Sequence, residues 1–280
     1  MKNILVPTDF SEQAENALEV AYHIAKKADS ELTLLHVIED TTVTSVHYTA
    51  DLELSNMENK LFMVRMVEKA KRDIAALNDK YGDIEIKTQI RIGNPYHNIK
   101  DYISESEVDF IVMGTKGSTG LEEFLIGSNA EKVVRHAKCP VLTIHKKAEN
   151  FDFKDIVYAT GLEMKDEYCI RILKQIQDAY GAKIHLVRVN TPNNFESDRT
   201  SLPALKKVAE KCGLSNYDVH VFNEASEEEG IIYFAEYIKA DMIAMATHGR
   251  TGLAHLLTGS IAEDVVNHAK RPVLTYVIDN

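Results

Sequence analysis

From Ile4 to Ile144 short runs of apolar residues alternate with longer stretches in which apolar positions recur every three or four residues. The runs "ILV", "LTLLHVI", "IEIKTQIRIG", "DFIVMGT" and "CPVLTI" predict strands. Between them "SEQAENALEVAYHIAKKA", "MVRMVEKAKRDIAALNDKY", "YHNIKDYISES" and "NAEKVVRHA" predict amphipathic helices. Strands alternating with helices imply a parallel sheet covered on both faces. The unit is therefore a five-stranded α/β sandwich, and ligands of such sheets sit beyond the carboxyl ends of the strands.

The same unit is then written again. Thr115 to Ile144 matches Thr247 to Tyr276 at a constant offset of 132, with roughly two-thirds identity, which marks an internal repeat. Earlier in each copy "NILVPTDF" at Asn3 aligns with "DIVYATGL" at Asp155, and "ELTLLHVIED" with "KIHLVRVNTP", at an offset of 152. The first copy thus carries an excess between these points, around "TTVTSVHYTADLELSNMENK", which is polar and reads as an elaborated loop leading into a helix. The charged stretch "HKKAENFDFKD" lacks apolar period and separates two expected domains, 1–147 and 151–280. The closing strands "CPVLTIH" and "RPVLTYV" are apolar edges, and pairing them with each other across a pseudo-two-fold covers both.

The repeated line "GTKGSTGLEEFLIGSNAEKVV" contains Gly114, Gly117, Gly120 and Gly127, each costly inside a plain helix. Gly114 closes a strand at the carboxyl edge, where a missing Cβ lets another molecule reach the backbone. Ser128 with Glu131 reads as a capping box, repeated at Ser260 with Glu263. A helix N-terminus there offers unpaired N–H groups and a positive dipole, a seat for phosphate. Gly127 keeps that seat open, and Lys116 offers a cation. Asp9, after the first strand, either caps the next helix with Glu12 or accepts hydrogen bonds from a ligand. His36 reads as a half-buried, satisfied histidine, and His248 and His255 lack a metal-ligand spacing.

Composition narrows the function. With 280 residues, 45% hydrophobic and 27% charged, the chain can bury a full core. Its net charge of −11 disfavours nonspecific binding to nucleic acid or anionic membrane. Three scattered cysteines argue against a disulfide framework or a thiolate zinc site. The N-terminal segment is too short in apolar residues for a signal peptide, which gives an expectation of a cytoplasmic protein. Walker, nucleophile-elbow and His-Glu-x2-His motifs are all missing.

The spacing Gly-x2-Gly-x9-Gly-Ser resembles the nucleotide-binding signature of the universal stress protein family, and "ILVPTDFS", "LLHVI", "MGTKG" and "CPVLTIH" extend the resemblance over both halves. It implies two Rossmann-like domains of the adenine nucleotide alpha hydrolase-like type, related to electron-transfer flavoprotein and PP-loop folds. It also implies ATP as ligand, with Mg²⁺. Carried over to this sequence, Asp9 and the backbone of Val37 hold adenosine, while Gly114, Gly117, Gly127, Ser128 and Asn129 belong to the phosphate end. In the second copy Gly161 replaces Asp9 and Ala246 replaces Gly114, so Gly249, Gly259 and Ser260 are expected to form at most a weaker site. Three functions stay open: an ATP-binding stress-response regulator, a slow ATPase or autophosphorylating enzyme, and a nucleotide-free interaction scaffold. Protein partners are not identified, and homodimerisation is left open.

Overall fold

The apolar runs become strands, those inside the sheet buried on both faces and the two outermost ones more open to solvent, and the periodic stretches become the helices that cover them. The computed structural model describes residues 1–39, 52–115, 126–147, 151–161, 167–248 and 261–278. The first half comprises β1 (Asn3–Thr8), α1 (Glu12–Ala28), β2 (Glu31–Ile38), α2 (Leu52–Lys80), β3 (Ile86–Ile92), α3 (Pro95–Glu105), β4 (Phe110–Gly114), α4 (Ser128–His136) and β5 (Val141–Ile144). The second comprises β6 (Asp155–Ala159), α5 (Glu167–Tyr180), β7 (Lys183–Asn190), α6 (Asp198–Lys211), β8 (Tyr217–Asn223), α7 (Glu227–Tyr237), β9 (Met242–His248), α8 (Ile261–His268) and β10 (Val273–Ile278).

All ten strands form one sheet, in the order β3-β2-β1-β4-β5-β10-β9-β6-β7-β8. Every neighbouring pair is parallel except β5 and β10, which join the halves antiparallel with Leu142 opposite Leu274, flanked by Thr143 with Val273 and Val141 with Thr275. Leu142 and Leu274 are the same position of the repeat, so the pseudo-two-fold passes between them. The hydroxyls obey it as well: buried Thr143 donates to the Val273 carbonyl at 3.1 Å, and buried Thr275 donates to the Val141 carbonyl at 3.4 Å. The expected pairing of the closing strands is what the sheet contains.

The core is shared between the halves. On one face α1, α2, α5 and α6 cover Ile4, Val6, Leu142, Leu274, Ile156 and their neighbours, and on the other α3, α4, α7 and α8 cover Leu5, Val141, Val157 and Val273. Across the junction Arg135 of α4 makes a two-pronged ion pair with Glu263 of α8 (Nε–Oε1 2.8 Å, Nη2–Oε2 2.7 Å) while also holding Glu131 at 2.9 Å. Forked geometry and a Glu263 side chain only 14% exposed make this pair stronger than a solvated one. On the opposite face the His23 and Phe151 rings stack at 3.9 Å.

The repeat extends to helix ends. α1 stops at Asp29 and α5 at its counterpart Gly181, both left-handed (φ 50° and 64°). The halves differ most after their second strands. α2 has 29 residues against 14 in α6, and it already begins at Leu52. Much of the excess expected as a loop is therefore helix: "LELSNMENK" supplies the opening turns of α2, because Leu, Glu, Met and Lys are good helix formers whatever their polarity. Residues 40–51 lie outside the described part of the chain.

A core that crosses the β5–β10 junction predicts cooperative unfolding of the two halves. Leu142→Ala should lower stability by about 2–5 kcal/mol. Urea denaturation followed by circular dichroism should give one transition in both proteins, shifted to lower urea in the variant. Two separate transitions in the wild type are the contrary result.

Candidate functional site

In the first half the chain leaves β1 toward β2 and β3, then crosses back to β4, so the connections diverge between β1 and β4. Such a switch point opens a crevice at the carboxyl ends of the strands. A cavity of about 200 Å³ lies there. Its walls come from the ends of β1 (Pro7, Thr8, Asp9), β2 (Leu35, Val37, Glu39) and β4 (Met113, Gly114, Thr115), and it is closed by the starts of α3 (Pro95, Ile99) and α4 (Gly127, Ser128, Asn129, Ala130).

Asp9 sits in a tight turn between β1 and α1. Thr8 Oγ1 accepts from the Phe10 amide at 3.0 Å, Asp9 Oδ1 accepts from the Ser11 amide at 3.0 Å, and Ser11 Oγ accepts from the Ala14 amide at 3.3 Å. Ser11 is thus the N-cap of α1. The alternative in which Asp9 caps this helix with Glu12 is corrected: the helix starts two residues later than that requires, and the exposed Asp9 is left on the cavity wall. Phe10 is forced into the left-handed region (φ 61°), a costly conformation for a residue with a bulky side chain. His36 braces it, with Nδ1 donating to the Thr8 carbonyl at 2.8 Å and its ring 4.5 Å from that of Phe10. His36 is therefore a satisfied structural residue, as its position suggested.

The start of α4 also differs from expectation. Gly127, not Ser128, is the N-cap, and it makes no side-chain cap bond. Ser128 is already helical, and Glu131 turns to Arg135 at 2.9 Å instead of reaching back to Ser128. The capping box is corrected to a glycine start with no side-chain cap, and this first turn lies on the cavity wall. The Gly127 amide donates to the Thr115 carbonyl at 2.6 Å, holding this helix start against the end of β4.

Gly114 lines the cavity, yet its missing side chain serves another neighbour. A Cβ there would lie 2.8 Å from the carbonyl carbon and oxygen of Gln13. The glycine is thus required for close packing of α1 on β4. Of the positions singled out from sequence, Asp9, Val37, Gly114, Gly127, Ser128 and Asn129 converge on one cavity. Lys116, Gly117, Gly249, Gly259, Ser260 and His255 lie outside the described residues. Glu39, Thr115, Pro95 and Ile99 also line the cavity and were not foreseen. For α3 the signal existed: "GNP" announces a helix start, and Asn94 caps it by accepting from the His97 amide at 3.0 Å.

The corresponding place in the second half is built differently. Gly161, in the position of Asp9, has no described residue within 4 Å of where a Cβ would be. Val189, counterpart of the half-buried Val37, is 7% exposed because α7 lies on it at Gly230, whose Cβ would fall 2.4 Å from Val189 Cγ1. The first half carries Asn98 at that point of α3, with its amide bonded to the Asn94 carbonyl at 3.0 Å.

Gly114→Ala tests the packing role. A methyl pressed on the Gln13 backbone should cost about 1–3 kcal/mol, seen as a lower urea midpoint. An unchanged midpoint would show that α1 does not depend on the glycine.

Comparison with known proteins agrees with this architecture. The model of the universal stress protein family matches residues 1–145 and again 152–276. A universal stress protein of Methanocaldococcus jannaschii is 32% identical over 145 residues, covering 52% of this chain and 82% of that protein. A Staphylococcus aureus relative is 31% identical over 172 residues, covering 59% of this chain and 96% of its own length. The crystal structure of a universal stress protein from Archaeoglobus fulgidus covers 98% of both chains with a TM-score of 0.72 at 22% identity, a likeness of fold. With both halves matched by the family model and the ten strands arranged as two Rossmann-like units, this chain belongs to the universal stress protein family, as a tandem two-domain member.

Proposed function

We propose that the first domain binds one adenine nucleotide, ATP with Mg²⁺, in the cavity between β1, β2 and β4, and that the chain acts as a cytosolic stress-response regulator whose nucleotide-bound form is read by protein partners. The domains are taken as 1–147 and 151–280. The observation that carries the reading is the convergence of an acid, an open strand end and an uncapped helix start on one cavity at the switch point.

The chemistry of the wall fits a nucleotide. Pro7, Leu35, Ile99 and Met113 give apolar surface for a base. The Asp9 carboxylate suits ribose hydroxyls, and the Val37 backbone suits the edge of adenine. The amides at the start of α4, with the Ser128 hydroxyl and the Asn129 amide, suit phosphate oxygens. Lys116 and Gly117 precede the same helix in the sequence. The volume of about 200 Å³ lies below the usual range of about 300–1,000 Å³ for ligand pockets. It suits a nucleoside, with phosphates continuing outward along the α4 start. Glu39 is the other carboxylate among the described lining residues, and a Mg²⁺ would arrive on the phosphates themselves.

The two domains are unequal in this reading. The second lacks the acid at Gly161, and its Val189 is covered by α7. No described helix is long and apolar enough to cross a membrane.

Calorimetry of the full chain should therefore find one tight ATP per chain. Ser128→Ala removes a hydrogen bond to a charged group, worth about 1.5–3 kcal/mol, and should weaken binding by roughly tenfold or more. Asp9→Ala should weaken it as well. Gly161→Asp meets open space and should fold normally without creating a second equal site. Unchanged ATP affinity in folded Asp9→Ala and Ser128→Ala proteins overturns the site, and two equal tight sites in the wild type overturn the inequality.

A further inference from the structure

A second constellation lies at the opposite end of the sheet, on the amino-terminal part of β7 and β8. The parallel register sets His185 beside Asp218, and His220, two residues on, projects from the same face of β8. The His185 Nδ1 and His220 Nε2 atoms are 3.4 Å apart, and nitrogen or oxygen atoms of His185, Asp218 and His220 all lie within 4.8 Å of one another. On its other side His185 Nε2 is 2.8 Å from Asp155 Oδ1 of β6.

We propose that His185, His220 and Asp218 form a binding site for a divalent transition-metal ion of the zinc class, with Asp155 orienting His185. Metal–nitrogen bonds of 2.0–2.1 Å at a tetrahedral ion hold two ligating nitrogens about 3.3 Å apart, close to the separation here. The Asp155 contact has the form of the carboxylate–histidine–metal relay. A hydrogen on Nε2 is donated to the carboxylate, and that tautomer leaves the Nδ1 lone pair facing His220. Without metal the His220 Nε2–H donates to this lone pair. With metal, His220 shifts its proton to Nδ1 and both rings present lone pairs.

Asp218 is exposed and closes the remaining distance by rotating its side chain. One of its oxygens holds Lys183 at 2.6 Å; Lys183 is itself 39% exposed and can yield to a divalent ion. Two imidazoles and a carboxylate are the donor set of zinc sites that keep a fourth position for water. The remaining neighbour, Phe234 of α7, places its ring 4.9 Å from that of His220 and limits motion of the imidazole.

Among the described residues the first domain has nothing comparable. Its aligned residues are Asn3, Thr33, Lys87 and Gln89, with Lys87 paired to Glu31 at 2.6 Å in a charge-reversed version of the Lys183–Asp218 pair. The metal site is a property of the second domain, where it ties the outermost strand β8 to β7.

The experiment titrates Co²⁺ into the tag-free full chain and follows its visible d–d absorption, with Zn²⁺ added as competitor. One Co²⁺ per chain, displaced by Zn²⁺, is expected. His220→Gln places in β8 the residue that β3 already tolerates at 89 and should remove saturable binding. Asp155→Asn should weaken it by about 10–100-fold. Zn²⁺ should raise the melting temperature of the wild type and not of His220→Gln. Either no saturable binding by the wild type, or undiminished binding by folded His220→Gln, overturns the site.

Discussion

The structure depends on the antiparallel pairing of β5 with β10. A five-stranded parallel unit ends in an apolar closing strand, and an unpaired strand of this kind presents a row of unsatisfied N–H and C=O groups. Two copies in one chain satisfy each other. Because Leu142 and Leu274 oppose one another at the same repeat position, the pairing needs no change in either unit. Both core layers then run through the junction, and the Thr143 and Thr275 hydroxyls find carbonyls across it.

Once the inner edges are used, β3 and β8 are the edges that remain. β3 carries Lys87 and Arg91, engaged with Glu31 and Glu105. Charges along an edge discourage a further strand from adding to it. β8 instead carries Asp218 and His220, and the second domain has turned this border into a cluster of potential ligands. The two ends of the sheet have diverged while its centre has kept its symmetry.

The carboxyl-end crevices have diverged as well. A glycine at 230 brings α7 down on Val189, whereas Asn98 on α3 bonds to its own helix start and leaves Val37 half-buried at an open cavity. A single small residue on a covering helix thus decides how far a strand end is covered.

The alternation of apolar runs and helical stretches, with the repeat at offsets of 132 and 152, sufficed for two parallel α/β units and for the pairing of their closing strands. Periodicity records which face a residue occupies, and an uncovered apolar edge has few remedies. The cavity was partly legible, because a switch point and a glycine-flanked helix start both leave marks in sequence. Caps were not: several residues compete for the same amides, and packing chose Ser11 over Asp9 and Gly127 over Ser128. The purpose of Gly114 was hidden too, since only the approach of α1 reveals the Gln13 backbone beside it. His185 and His220 are 35 residues apart with no motif between them. They meet because β7 and β8 adopt one register, and register is fixed by the whole buried face of a sheet rather than by any local stretch of chain.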